Sequence, residues 1–300
     1  MVNLKKPILT ALLVLQAGIV VTGGAVRLTG SGLGCPTWPE CTKGSLVPVK
    51  RQVQGALHSW IEFSNRLLTF ALILAALFAL IGAFRWSLEV GMRKKVRVLA
   101  IIQFLGIFAQ GILGGITVLT KLNPIPVAGH FILSIGLIAG ALSLRQLVLQ
   151  VPSTNLAPIT RKLSAAIISL TFLVITVGTI VTGSGPHAGD AQAKRFPFNP
   201  KSISWLHADL VIALLALTLG LILVVKVSES KAAKEIFAPA TTIFFAISLG
   251  QGAIGYIQYF TKLPEIIVGL HMLGSTLVWI AVWNLHLKGT VIYRINKTRK

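Results

Sequence analysis

Long apolar segments recur along the whole chain and are separated by shorter polar stretches. Each apolar segment has about 20 residues, which is the length that an α-helix needs to cross the hydrocarbon core of a bilayer. Strand-like alternation of apolar and polar residues is absent, which disfavours a membrane barrel. The pattern predicts an all-α polytopic membrane protein with eight transmembrane helices. The predicted spans are residues 8–26, 58–84, 98–119, 127–147, 162–183, 204–226, 238–260 and 265–287.

Composition excludes a soluble domain and indicates a chain embedded in the lipid bilayer. Of the 300 residues, 54% are hydrophobic and only 12% are charged, and the mean hydropathy is +0.80. Soluble globular domains carry about 25% charged residues. The bilayer is therefore the first partner that the sequence predicts.

The positive charges are unevenly divided between the two sides of the predicted bundle. The formal net charge is +20, which on a soluble protein would suggest a nucleic acid partner. Of the 28 Lys and Arg residues, however, eighteen fall on the side of the termini, nine on the opposite side, and only Arg66 within a span. Loops rich in Lys and Arg face the cytoplasm. We therefore expect no nucleic acid partner, and a multi-pass protein of the plasma membrane with both termini in the cytoplasm.

An internal repeat divides the chain into two halves. The stretch AQGILGGITVLTKL at 109–122 recurs as GQGAIGYIQYFTKL at 250–263. Because each copy precedes the last helix of a group of four, we predict two pseudo-repeated four-helix bundles, residues 1–149 and 150–300. Long outer loops, 27–57 in the first half and 184–203 in the second, are placed to cover a site or receive a partner.

Four histidines lie near the outer ends of four different predicted helices: His58, His130, His207 and His271. Two of them follow the Gln-Gly of the repeat by the same spacing, Gln110 to His130 and Gln251 to His271. A neutral imidazole within a membrane span has few uses, and ligating a metal is one of them. Imidazoles from two helices hold haem iron from both faces. We expect two such pairs, at one shared depth, and hence two porphyrin sites.

The second helix carries an acid on its histidine face. His58, Glu62 and Arg66 follow at i, i+4 and i+8 and share one face of the helix. One interpretation is an ion pair between Glu62 and Arg66 that only neutralises both groups within the span. The other is a carboxyl group that handles protons beside the porphyrin. The matching helix has only Asp209, two residues after His207, so the halves are expected to have different tasks.

Cys35 and Cys41 are the two cysteines of the chain, and both lie in the first outer loop. An oxidising compartment favours a disulfide between them. A bond that closes so short a loop stabilises the fold little through chain entropy. A structural role and a redox role are both open for an exposed bond of this kind.

These residues together resemble the haem A synthase family, over nearly the whole chain. The resemblance rests on GGAVRLTGSGLGCPTWPEC, on IEFSNRL, on the paired Gln-Gly helices and on the four histidines. The family has eight helices in two halves and oxidises the C8 methyl group of haem O to a formyl group by successive hydroxylations, in haem A biosynthesis for terminal oxidases. The resemblance therefore implies a membrane oxidoreductase whose substrate is haem O and whose cofactor is haem b (iron).

The resemblance also assigns residues to roles. His207 and His271 are expected to be the axial ligands of haem b, and His58 and His130 to belong to the substrate haem O site. Glu62 matches the catalytic acid of the family, and Cys35 with Cys41 its outer-loop cysteine pair. Many members carry Glu-x-x-His-Arg in the second helix, whereas this chain has Asn65 in place of that histidine. His58, one turn before Glu62, is then the imidazole that this helix offers.

Further partners and competing functions follow from the same features. We expect an electron donor, which the sequence does not identify. Two sources of haem O are open, haem O synthase as a partner and the lipid bilayer. Arg27, Arg66 and Arg195 are candidates for contacts to haem propionates. A di-haem cytochrome b-like electron carrier would use the same histidines without requiring Glu62. A repeat-built transporter would place Glu62 and Arg66 in a translocation path and bind no haem.

Overall fold

The structure, a computed structural model, describes residues 4–49 and 55–290. Within these ranges it contains eight α-helices and no named strand, so the predicted all-α class is confirmed. All eight helices are long and apolar enough to cross a membrane. They are α1 (Lys5–Leu28), α2 (Ala56–Arg85), α3 (Val90–Leu119), α4 (Pro124–Val148), α5 (Pro158–Ser184), α6 (Pro200–Ser228), α7 (Lys231–Phe260) and α8 (Glu265–Lys288).

Part of the sequence-based prediction concerns residues outside the described ranges. The first outer loop, predicted at 27–57, includes residues 50–54. Six of the counted positive charges also lie there: Lys50, Arg51, Arg294, Lys297, Arg299 and Lys300.

Every predicted span lies inside an observed helix, but several helices begin earlier. α3 begins at Val90 and not at 98, because its first turns carry Arg93 and Lys94 and are helical without being apolar. Hydropathy marks the part of a helix that lies in hydrocarbon, and long cationic side chains extend the helix beyond that part. α4 and α6 begin with Pro at the first helical position, a favoured place for proline.

The repeated Thr-Lys-Leu sequences form the same tight turn in both copies. Lys121 and Leu122 after α3 have φ of 51° and 57°, and Lys262 and Leu263 after α7 have φ of 65° and 60°. The amide of Leu122 donates to Thr117 O at 2.8 Å, and that of Leu263 donates to Gln258 O at 2.8 Å. Consecutive left-handed residues close the C-terminus of each helix and start the next one within a few residues.

The helices pack as two rings of four. α1 packs against α2 and α4, and α3 packs between α2 and α4; α5 to α8 have the same neighbours among themselves. α1, α4, α5 and α8 meet between the rings. This arrangement supports the division into 1–149 and 150–300, which stays a prediction.

The contact between the rings is apolar with a few polar ties. Trp279 Nε1 of α8 donates to Ile135 O of α4 at 2.7 Å, and Trp283 Nε1 donates to Ser143 Oγ at 2.8 Å. Trp279 and Ile135 are buried in a continuous core cluster that both rings share. The rings are therefore joined by packing as well as by the chain.

Candidate functional site

Two imidazole rings face each other inside the C-terminal ring of helices. His207 lies on α6 and His271 on α8, and their ring centroids are 6.4 Å apart with the planes at 75°. Two imidazole–metal bonds of about 2 Å each would place the ring centres roughly 6 Å apart across one metal ion. The predicted pair is therefore brought together at a separation that fits one iron between the rings.

A glycine on the preceding helix makes room for each ring of this pair. A Cβ added to Gly178 of α5 would lie 3.2 Å from His207 Cε1, and one added to Gly255 of α7 would lie 3.1 Å from His271 Cε1. Both distances are tighter than ordinary carbon contacts. Each ring therefore fits against its neighbouring helix because that helix has no side chain there.

The Nδ1 atoms of both rings are enclosed by the helix packing. His207 Nδ1 and His271 Nδ1 are buried without a hydrogen-bond partner among the described residues. Because packing covers Nδ1, Nε2 is the candidate ligating nitrogen of each ring.

His130 repeats the surroundings of His271 in the N-terminal ring of helices. A Cβ on Gly114 of α3 would lie 3.3 Å from His130 Cε1, and His130 Nδ1 is buried without a hydrogen-bond partner in the described part of the chain. Gln110 Nε2 donates to His130 O at 3.0 Å, as Gln251 Nε2 donates to His271 O at 2.7 Å. The Gln-Gly repeat therefore fixes the same helix contact beside both histidines.

His58 lies nearer to the start of its helix than the other three histidines do. It is the third residue of α2, whereas the other three are the seventh or eighth residues of their helices. Its Nδ1 is 2.9 Å from Ser31 Oγ in the first outer loop. Three of the four histidines thus share a place along their helices, and the predicted common depth stays a prediction. The predicted pairing of His58 with His130 stays a prediction.

Glu62 and Arg66 form an ion pair that also holds the first outer loop. Arg66 Nη2 lies 2.5 Å from Glu62 Oε1, and the carboxyl group is buried. Glu62 Oε2 accepts the amide of Cys35 at 2.7 Å, and Arg66 Nη2 donates to Cys35 O at 2.9 Å. Arg66 also reaches Thr37 O and, through Nη1, Glu40 O. Neither interpretation of the Glu62–Arg66 pair from the sequence predicted this contact with the first outer loop, because the loop residues are distant from α2 in the chain.

The cysteines form the predicted disulfide, Cys35–Cys41. Both residues are fully buried, so the expectation of an exposed bond is wrong. Burial follows from the Glu62–Arg66 contacts, which draw the loop onto the ring of helices. Between the cysteines, Trp38 lies against Gly115, the neighbour of Gly114 on α3. The loop therefore covers the outer end of the region that contains His130.

The second outer loop is tied to the rest of the protein through arginines. Arg27 of α1 donates to His187 O at 2.5 Å and to Thr182 O at 2.9 Å. Arg195 donates to Gly185 O at 2.9 Å within its own loop. His187 in turn is bonded to Leu263 O at the turn before α8. Arg27 and Arg195 thus donate hydrogen bonds to backbone carbonyl groups, a role that the sequence pattern did not indicate.

An open groove runs between the outer parts of α1 and α2. Its volume is about 560 Å³, and its lining is apolar apart from the polar residues Thr22, Ser64 and Asn65. Thr22 Oγ1 donates to Asn65 Oδ1 at 2.6 Å. Asn65 lines this groove, so its side chain is accessible from outside the contact between α1 and α2.

Fold and site together define a helical membrane protein with paired imidazoles and a covered outer end. The family model of COX15-CtaA, described as cytochrome oxidase assembly protein, matches residues 6–283. The chain therefore belongs to this family.

Individual relatives match parts of the chain. A protein named "Heme A synthase" from Geobacillus thermodenitrificans is 33% identical over 105 residues, 35% of this chain and 30% of the relative. Proteins of the same name from Exiguobacterium sibiricum and Shewanella oneidensis are 28% and 29% identical; the aligned segments cover 56% and 55% of this chain and 55% and 51% of those relatives. The chain thus spans about a third to a half of the length of these relatives.

Proposed function

We propose that this protein is a haem A synthase, a membrane oxidoreductase that converts the C8 methyl group of haem O to a formyl group. The observation that carries the proposal is the separation of 6.4 Å between the His207 and His271 rings. Family membership and the names of the relatives support it.

The C-terminal half would bind haem b as a resident cofactor. His207 and His271 would hold its iron from α6 and α8, with ring centroids 6.4 Å apart. Gly178 and Gly255 keep both rings in place. The group would supply electron transfer at this site when bound.

The N-terminal half would accept haem O. His130, backed by Gly114 and held through its carbonyl by Gln110, would face the iron of the substrate. His58 is the other sequence-predicted residue of this site and lies at its outer edge. The Cys35–Cys41 loop would cover the site and exclude water from it.

Glu62 is the proposed catalytic acid. Two hydroxylations of the methyl carbon, each inserting one oxygen atom, give a geminal diol, and loss of water leaves the formyl group. Loss of water requires one hydroxyl group to gain a proton and the other to lose one. A buried carboxyl group beside the site can hold and return that proton, while Arg66 keeps it in place.

The setting of the reaction is proposed from the sequence. The charge asymmetry favours the plasma membrane with both termini in the cytoplasm, so both sites would lie near the outer surface. Oxygen and electrons would come from co-reactants, among them an electron donor, and haem O synthase would supply the substrate.

Conversion of haem O tests the proposed function. The purified full-length protein is reconstituted in lipid, incubated with haem O and a reductant under air, and the extracted porphyrins are identified by mass. We expect a formyl-bearing product that accumulates with time and is absent without protein. Haem O recovered unchanged from a protein that still binds haem at both sites would instead support a di-haem electron carrier.

A further inference from the structure

We propose that Asn65, and not His58, is the α2 residue opposite His130, so that the N-terminal site gives haem iron a single protein imidazole. This inference rests on the proposed function, because it concerns the same haem O site. It predicts an iron with one axial position open to a small ligand, unlike the iron between His207 and His271.

The burial pattern of α2 and α6 fixes which residues correspond. The buried residues of α6 are Leu214, Thr218, Leu221 and Val225. A shift of 142 positions back along the chain takes these four residues to α2. They correspond, in the same order, to Leu72, Ala76, Ala79 and Ala83, and all four of these are buried. The same shift from His207 leads to Asn65. Asn65 therefore has, on α2, the place that the ligand histidine has on α6.

The other helix of each histidine pair supports a correspondence of the two rings of helices at nearly the same shift. His271 and His130 are 141 positions apart, as are Gln251 and Gln110. Each Gln donates to the carbonyl of its own histidine. Since α4 corresponds to α8 and α2 to α6, the partner of His130 is sought at the place equivalent to His207.

The immediate neighbours of Asn65 fit this place. Its Nδ2 would lie 3.7 Å from a Cβ added at Gly23 of α1, so Asn65 lies against a glycine of the preceding helix, as His130, His207 and His271 do. Its Oδ1 accepts from Thr22 Oγ1 at 2.6 Å. The amide is thereby oriented, and its N–H groups are left to donate to a polar ligand on that face of the haem.

His58 is held for another purpose. It precedes Asn65 by seven residues, which is a rise of about 10 Å along a helix. Its ring is bonded to Ser31 Oγ, and its carbonyl packs against Gly34. Its neighbour Ser59 donates to Gly34 O at 2.8 Å. This turn anchors the first outer loop to the start of α2.

An amide is a poor substitute for imidazole at haem iron, because nitrogen ligands of the imidazole type suit iron better than carbonyl oxygen does. The site with His130 would thus bind haem through one strong protein ligand. The site with His207 and His271 would have both axial positions filled by imidazole. Spectroscopy separates these two states independently of turnover.

The test uses absorption and electron paramagnetic resonance spectra of the purified protein loaded with haem b and haem O, before and after adding carbon monoxide to the reduced form. The variants are Asn65→His, His58→Ala and, as the reciprocal change in the other half, His207→Asn. We expect wild type to show one bis-imidazole low-spin haem and one haem that binds carbon monoxide. Asn65→His should make the second haem low-spin and weaken carbon monoxide binding at least about tenfold, whereas His58→Ala should leave both spectra unchanged.

His207→Asn should create a second haem that binds carbon monoxide, and it tests the role of Asn at this place even if Asn65→His fails to fold. Two low-spin haems in wild type, one of them lost in His58→Ala, would overturn this inference and leave the proposed function standing. A protein that takes up neither haem would overturn both.

Discussion

At the scale of single residues, the Glu62 carboxyl group joins two parts of the protein. One oxygen pairs with Arg66 on the next turn of α2, and the other accepts the amide of Cys35 in the outer loop. A carboxylate in a membrane span is costly unless it is paired. The pair satisfies this requirement and, in the same contact, places a carboxyl group under the Cys35–Cys41 loop.

Glu62→Gln should lower product formation by about 100-fold while haem b stays bound, because an amide cannot return a proton. Arg66→Lys keeps the positive charge but loses the guanidinium fork that reaches Cys35 O and Thr37 O, so its loss should be smaller. Asp209→Asn, an exposed acid of α6, is the control and should act like wild type. Product is measured by pigment extraction. Equal losses of product formation in Glu62→Gln and Arg66→Lys would contradict a catalytic role for Glu62 and indicate a structural one.

Gly255→Ala should weaken retention of haem b about tenfold, as is usual for changes that misplace a metal ligand from behind. The new Cβ would lie 3.1 Å from His271 Cε1 and push the ring towards the iron position. Gly220→Ala on α6 is the control, because its Cβ would meet no described atom within 4 Å. Haem content after gel filtration measures both. Equal retention would show that the ring does not depend on this glycine.

At the scale of elements, the sequence predicts helices better than it predicts their contacts. Apolar length located all eight spans, and the Gln-Gly spacing selected His130 and His271, because both signals are local in sequence. The hold of Glu62 and Arg66 on the Cys35–Cys41 loop joins residues some 30 positions apart, and no local pattern indicates it. The burial of the disulfide depends on that loop contact, so sequence patterns did not indicate it. The place of His58 follows from the start of α2 at Ala56, which hydropathy alone did not fix.

A double change of Cys35 and Cys41 to Ser should leave haem b bound and lower product formation less than Glu62→Gln does. The loop keeps its attachment without the bond, since Glu62 accepts a backbone amide and Arg66 donates to backbone carbonyls. Turnover in parallel with haem content measures this. A loss as large as that of Glu62→Gln, with haem b retained, would contradict a structural bond and indicate a redox role.

At the scale of the whole molecule, two rings of helices with the same packing order carry different candidate site residues. The rings meet through α1, α4, α5 and α8, and the His207–His271 pair lies in the second ring only. In the proposed enzyme, this duplication provides one ring to hold a permanent cofactor and one to admit and release a large apolar substrate. The groove between α1 and α2, which Asn65 lines, lies in the half for which a substrate site is proposed.

Trp279→Phe should lower the free energy of unfolding by about 1 kcal/mol, because it removes a buried hydrogen bond between the rings. Trp279 Nε1 donates to Ile135 O at 2.7 Å, and the residue is 5% exposed. Trp60→Phe, at a residue 51% exposed, is the control. Thermal unfolding in detergent compares them. Equal melting temperatures of Trp279→Phe and Trp60→Phe would show that this hydrogen bond does not stabilise the contact between the two rings of helices.

The most direct test of the account is a titration of the purified protein with haem b, followed by its absorption spectrum. We expect a low-spin bis-imidazole spectrum that His207→Ala and His271→Ala each abolish and His130→Ala leaves intact. A protein that stays colourless, or a spectrum that survives loss of both His207 and His271, would contradict it.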